Sequence, residues 1–310
     1  MTETAVRMEN LRREFGPVKA LDGISLEVPA GMIYGFLGPN GAGKTTTINL
    51  LLGLLEPTEG RAEVLGFNTS TQGDEVRART GALLEHTGLY EQLSAEDNLE
   101  FYGRVWRMPA AERRARIEEL LSHMGVWERR KDWVGKWSKG MKKKLALARA
   151  MLHRPELIFL DEPTAGLDVV AAATVRDDLA ALAAREGVTV FLTTHNMAEA
   201  ERLCGQVAVI REGRLVAVGA PDELRARSGG PRVEIFGRGF TDGALEMLRA
   251  RPEVAAAEVE NRHLLIDLGT EMDIAPLITL LVSAGVQVEE VRRGKASLEE
   301  VFLTLMEEDR

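Results

Sequence analysis

The sequence predicts a mainly parallel α/β core with a P-loop, a helical stretch inserted in it, and a small α+β unit of ferredoxin-like order at the C-terminal end. Three observations predict this. Apolar runs rich in branched residues at 32–37, 157–160 and 188–193 alternate with helical periodicity, the pattern of parallel strands covered on both faces. A glycine-rich stretch follows the first run directly. Beyond Ser228-Gly229-Gly230-Pro231, where glycines and a proline interrupt regular structure, the chain reads as strand 232–236, helix 241–251, strands 254–259 and 263–268, helix 272–284, strand 286–292 and helix 297–307. That order is βαββαβ plus one helix. Ser297 and Glu300 form a capping box that opens the last helix. The expected domains are therefore 1–228 and 229–310.

The length of 310 residues suits two such units, at about 150 residues per domain. With 45% hydrophobic and 28% charged residues, the composition excludes a disordered, collagen-like or disulfide-stapled chain. The 39 basic and 48 acidic residues leave a net charge of −9, which a phosphate backbone would repel, so no nucleic-acid partner is expected. The one cysteine, Cys204, cannot form an intrachain disulfide and reads as a small core residue in a reducing compartment. Met1–Glu14 mixes charges throughout, unlike a signal peptide. The longest apolar stretch, 274–288, is broken by Pro276 and Gly285 and is shorter than the roughly 20 residues a bilayer requires. Any membrane role must come through a partner.

The stretch after the first strand, Gly38-Pro39-Asn40-Gly41-Ala42-Gly43-Lys44-Thr45, fits the P-loop pattern, in which backbone N–H groups curl around phosphate oxygens and the lysine neutralises them. With Thr46 behind it, this is the expected nucleotide-binding segment, and the Thr45 hydroxyl is placed to ligate Mg²⁺. The strand 157–160 runs into Asp161 and Glu162. Asp161 can hold the metal or its water, and Glu162 can act as general base or orient the attacking water. Carboxylates at a strand end also serve as plain caps, so this pair alone leaves both readings open.

With these motifs the sequence resembles an ATP-binding-cassette ATPase, the nucleotide-binding subunit of a membrane transporter, over residues 5–227. Ser138-Lys139-Gly140-Met141 occupies the family signature, Ala165-Gly166-Leu167-Asp168 the D-loop, and His195 the switch histidine; Phe15 resembles the aromatic that stacks on adenine. The resemblance implies that Ser138 and Gly140 act in trans on a γ-phosphate held by a second subunit, so that a homodimer sandwiches two ATP molecules. It further implies that Asp168 connects the two sites and that Mg²⁺ accompanies ATP. Bland readings stand beside these: Ser138 and Asp168 as helix caps, His195 as a structural histidine, Phe15 as a core aromatic.

Lys139 and Met141 replace the usual glycine and glutamine of the signature, and Trp137-Ser138-Lys139-Gly140-Met141 resembles the variant of polyketide-drug and ABC-2-type exporters, the daunorubicin-resistance kind. In Gly81-Ala82-Leu83-Leu84-Glu85 a glutamate stands where most cassettes have glutamine, keeping an oxygen for Mg²⁺ and losing an amide donor. Residues 87–127 read as helices carrying Tyr90, Tyr102 and Trp106 and, with the rest of about 87–145, resemble the helical subdomain that grips a permease. Residues 128–144 hold eight basic and two acidic side chains, a solvated face by default, with ATP phosphates or anionic headgroups as the sharper alternative.

The expected function is therefore an ATPase subunit on the inner face of a membrane, driving a separate permease that exports drug-like or lipophilic compounds. A soluble cassette ATPase of DNA repair or translation is the alternative. Such proteins carry a coiled-coil insertion or tandem cassettes, which this sequence lacks. A P-loop kinase or GTPase is a further rival, with no reason to carry signature serine and switch histidine together. The C-terminal unit, having a core pattern and no catalytic constellation, is expected to be regulatory or dimer-stabilising.

Overall fold

The computed structural model describes residues 3–228, 231–270, 272–295 and 297–307; Gly229 and Gly230 of the linker lie outside them. The chain separates into two compact units, Met1–Val218 and Gly219–Arg310.

The first unit opens with β1 (Thr4–Phe15) and β2 (Val18–Pro29), then β3 (Ile33–Leu37), α1 (Lys44–Leu51), β4 (Glu59–Val64), β5 (Phe67–Asn68), α2 (Gly73–Arg79) and β6 (Thr80–Leu83). The inserted helices are α3 (Ala95–Val105), α4 (Ala110–His123) and α5 (Lys139–Met151). The core resumes with β7 (Leu157–Asp161), α6 (Val169–Glu186), β8 (Thr189–Thr194), α7 (Met197–Leu203), β9 (Gln206–Arg211) and β10 (Arg214–Gly219).

Two sheets result. One has the order β2-β1-β4-β5 with antiparallel neighbours. The other has the order β10-β9-β3-β8-β7-β6 and is parallel from β9 to β6. Every residue of β7 and β8 is buried, which is why both read as unbroken apolar runs. Phe191 packs its ring against Phe36 at 5.4 Å and Phe159 at 5.7 Å, so the three central strands share one core. Their carboxyl ends lie side by side, and a crevice at that edge is where open α/β sheets bind ligands.

Ser94 and Ser138 cap α3 and α5 by accepting the N–H of the third residue on, Asp97 and Met141. Arg116 of α4 has no exposed side-chain surface; it donates a fork of two 2.7 Å hydrogen bonds to Glu186 at the end of α6 and a third to the Met151 carbonyl. These tie α4 to the ends of α5 and α6. Cys204, after α7, is buried against β3, its Sγ 2.9 Å from where a side chain on Gly35 would begin. Burial pushes its thiol up to about 12.

The second unit comprises α8 (Pro221–Ser228), β11 (Pro231–Arg238), α9 (Asp242–Arg249), β12 (Val254–Glu260), β13 (His263–Leu268), α10 (Ala275–Ser283), β14 (Gln287–Lys295) and α11 (Leu298–Glu307). Its sheet order is β12-β13-β11-β14 with all neighbours antiparallel, the ferredoxin-like arrangement. Val233, Ile235, Leu248, Leu264, Ile266 and Leu281 form its core. Thr241 caps α9, Pro276 stands in the first turn of α10, and Ser297 and Glu300 exchange the two capping-box bonds. The division differs from the sequence-based boundary after Ser228: α8 belongs to the second unit, where it packs on α11 with Leu224 buried.

Candidate active site

At the carboxyl end of β3 the loop 38–43 turns into α1. Glycine is required at both ends of it. A side chain on Gly38 would begin 2.4 Å from the Ile210 carbonyl oxygen, and Gly43, at φ +108°, would place one 2.5 Å from that of Ala20. Lys44 is 6% exposed; its Nζ donates to the carbonyls of Gly38 (2.7 Å) and Pro39 (3.1 Å) and lies 3.2 Å from Glu162 Oε1. Thr45, in the first turn of α1, donates its hydroxyl to Asp161 Oδ2 at 2.7 Å.

Asp161, the last residue of β7, is buried, and its other oxygen accepts from the Thr193 hydroxyl of β8 at 2.6 Å. Glu162 follows with φ +49°, a left-handed backbone rare outside glycine. Its N–H donates to the Thr193 carbonyl at 3.1 Å, its carbonyl accepts from Lys143 Nζ at 3.4 Å, and its Oε2 accepts from His195 Nδ1 at 2.8 Å. Residues of α1, α5 and β8, and the histidine just after β8, thus converge on Glu162 at the end of β7. Thr45, Glu85, Lys143, Asp161, Glu162 and His195, together with Asn40 and Ala165, line one cleft of about 510 Å³.

The cleft can hold a hard divalent cation, since its donors are a hydroxyl and carboxylates, with Thr45 and Asp161 already in contact and Glu85 opening into the same space. Carboxylate and imidazole beside a phosphate-type loop are the components of water activation. The four signature residues lie outside this cleft: Ser138 and Lys139 are exposed at the start of α5, Met141 takes a hydrogen bond from Arg129, and Gly140 packs 3.2 Å from the Ala171 side chain by its missing Cβ. Asp168 caps α6 by accepting from Ala171 N–H at 2.8 Å. Phe15, at the end of β1, is 45% exposed, with the Arg13 guanidinium 4.5 Å over its ring. Thr46 is half-buried on α1.

The sequence profile of the ABC transporter family matches residues 21–165, and that of the C-terminal domain of DrrA1-3-like ATP-binding proteins matches residues 219–306. Across the whole chain, and 98% of the relative, the sequence is 37% identical to the daunorubicin resistance ATP-binding protein DrrA3 of Streptomyces coeruleorubidus. The chain belongs to the ABC transporter ATP-binding proteins. It is likewise 34% identical to the bacitracin transport ATP-binding protein BcrA of Bacillus licheniformis, over 98% of this chain and 97% of that one. Among solved structures, cbiO1 of Clostridium perfringens, part of the ABC transporter complex cbiONQ, superposes with a TM-score of 0.67 at 27% identity, covering 72% of this chain and 91% of that one. As a member of this family the chain is an ATPase subunit of a transporter.

Three contributors to this ABC ATPase site escape the sequence reading. Thr193 sits inside a strand and reads only as a strand former, yet it holds both Asp161 and Glu162. Glu199 of α7 is buried and accepts from the hydroxyls of Thr164 and Thr194, bracing the turns after β7 and β8; burial raises its pKa. Lys143 lies in a run of three lysines. Its one distinguishing sign is spacing, one turn before the buried Ala146 and Leu147. The basic run is not a single solvated face: Lys142 pairs with Glu91, Lys144 pairs with Asp178, and Lys143 enters the cleft. Of the aromatics, Tyr90 and Trp106 are exposed, whereas Tyr102 is partly buried beneath the Arg149 guanidinium.

Proposed function

We propose that this subunit hydrolyses Mg-ATP at the cleft between the P-loop and Glu162 and powers export of drug-like or lipophilic compounds through a separate permease. The observation that carries the reading is the setting of Glu162, whose carboxylate lies between Lys44 at 3.2 Å and His195 at 2.8 Å. The loop N–H groups and Lys44 bind the β- and γ-phosphates of ATP, and Phe15 stacks on the base. Glu162 takes the proton of the attacking water, and His195 holds the γ-phosphate. Thr45 and Asp161, with Glu85 beside them, hold Mg²⁺, which when bound neutralises phosphate charge. Two copies associate, each offering Ser138 and Gly140 to the other's nucleotide and Asp168 to the interface. Ser138 supports this, because its hydroxyl accepts from Met141 N–H and keeps its own proton for an anion.

Among the described residues no helix is long and apolar enough to cross a membrane, so the substrate path belongs to the permease, which holds this subunit at the inner face. The export reading leans on relatives named for daunorubicin resistance and bacitracin transport. Phosphate release by the purified protein tests the chemistry. It is expected to depend on Mg²⁺, to stop in EDTA, and to vanish in Glu162→Gln with ATP binding kept; wild-type turnover in that variant overturns the reading. Mass spectrometry of the partner co-purified from membranes, followed by efflux of a fluorescent lipophilic drug, tests the transport half.

A further inference from the structure

Lys143 enters the cleft from an element with a different job. The helix α5 starts at the Ser138 cap, and one turn further on Lys143 stands above Ala146, Leu147 and Ala150, which are all buried. Its two neighbours spend their charges on carboxylates, Lys142 on Glu91 at 2.6 Å and Lys144 on Asp178 at 2.8 Å. Lys143 makes no ion pair among the described residues and aims its ammonium at a backbone oxygen, the carbonyl of Glu162, 3.4 Å away. Burial lowers its pKa while Asp161 and Glu162 draw it back. Even a half-buried cation is costly to hold away from water without partners.

Glu162 supplies the explanation. Its backbone is left-handed and its N–H is committed to Thr193. Its carbonyl accepts the N–H of Ala165 in the turn that follows, at 3.1 Å, and has a second lone pair to offer. The ammonium of Lys143 is the second donor to that oxygen, pinning the turn to α5, and its charge faces two adjacent carboxylates, Asp161 and Glu162.

We infer that Lys143 is a positioning residue for ATP hydrolysis, holding the Glu162 peptide in the turn that presents its carboxylate between Lys44 and His195. It makes the setting of that carboxylate depend on the helix that Ser138 opens. The inference rests on Glu162 acting in hydrolysis, and its test separates the two.

Purified full-length wild type, Lys143→Met, Lys143→Arg, Glu162→Gln and the Lys143→Met/Glu162→Gln pair are compared for kcat, for KM and for affinity toward a fluorescent ATP analogue with Mg²⁺. Thermal melting verifies folding, and Lys143→Gln replaces the Met variant if that one does not fold. Lys143→Met is expected to lose about tenfold or more in kcat, the scale of a misplaced reacting group, with affinity unchanged within about twofold. Lys143→Arg is expected to recover most of the rate, because it returns a cationic donor. In the Glu162→Gln background the Met change should cost nothing further. A wild-type kcat in Lys143→Met, a loss confined to affinity, or an Arg variant as slow as Met overturns the inference. If Glu162→Gln itself keeps wild-type turnover, the assignment of Glu162 has failed, independently of Lys143.

Discussion

His195 Nδ1 donates to Glu162 Oε2 at 2.8 Å, so the residues that follow two adjacent parallel strands, β8 and β7, meet across the edge of the sheet. With that proton given to the carboxylate, the far nitrogen of a neutral ring is an acceptor. To donate to a phosphate oxygen the ring must be protonated or must release Glu162. The pair is therefore a unit whose members act together.

His195→Ala is expected to lower kcat by about 10²-fold or more, with Mg-ATP affinity kept. Combined with Glu162→Gln, it should be no slower than the slower single variant, as for residues that act as one. Single-turnover hydrolysis with excess enzyme checks this; fully multiplicative losses would mean independent roles.

Glu85 follows β6, and β6 is tied to the inserted helices by Arg149, which donates from α5 to the Ala82 carbonyl at 2.9 Å and covers the Tyr102 ring of α3 at 5.0 Å. Movement of those helices thus reaches the loop that presents Glu85 to the cleft. Glu85→Ala is expected to depress permease-stimulated hydrolysis several-fold while basal ATP binding stays near wild type, and Glu85→Gln, which keeps one oxygen, should retain much of the activity. Reconstituted vesicles give the measurement, and wild-type stimulation and transport in Glu85→Ala would remove the coupling role.

His153 stacks on Trp106 at 4.0 Å and donates from Nε2 to the Thr80 carbonyl at 3.1 Å. Burial lowers its pKa from 6.5 to about 4, with Arg116 and Arg149 adding to the effect. Between those values the unfolded chain binds a proton that the folded chain refuses, so stability falls as pH drops from 6.5 toward 4. The loss is roughly 3 kcal/mol across the window at 1.36 kcal/mol per unit. His153→Gln keeps a donor and cannot titrate. Its urea midpoint should vary less between pH 7 and 5 than that of the wild type; equal slopes would place the acid sensitivity elsewhere.

Ending the chain at Val218 should preserve ATP binding and weaken self-association, as expected of a regulatory or dimer-stabilising C-terminal unit. Ending it at Ser228 leaves α8 without α11 and exposes Leu224, which is 2% exposed in the whole chain. The longer fragment is therefore expected to aggregate more, which light scattering and sedimentation velocity would report. Loss of nucleotide binding in a folded 1–218 fragment would contradict the division.

Local chemistry decided what could be read in advance. The P-loop was legible because its glycines, lysine and threonine are contiguous, and β3, β7 and β8 because nearly every residue in each is buried. The sheet of β1, β2, β4 and β5 was not, since Arg7, Glu9, Arg12 and Arg13 interrupt the apolar pattern of β1. Glu199 looks like an ordinary acid in the first turn of a helix, and Lys143 like its neighbours on either side. Only packing separates them, because their partners lie on elements distant in sequence. The capping box at Ser297 was readable because both halves of it are local.

Cys204 gives the experimenter something unplanned. It is the one thiol in the chain, and burial with its pKa near 12 keeps it unreactive toward maleimides and other thiol reagents at neutral pH. A cysteine introduced at an exposed position, such as the tip of α6 at Val169, can then be labelled on an otherwise native background. Spin-label or fluorescence distance measurements across an ATP cycle thus need no cysteine-free variant, and the Gly35–Cys204 packing of the core stays as it is.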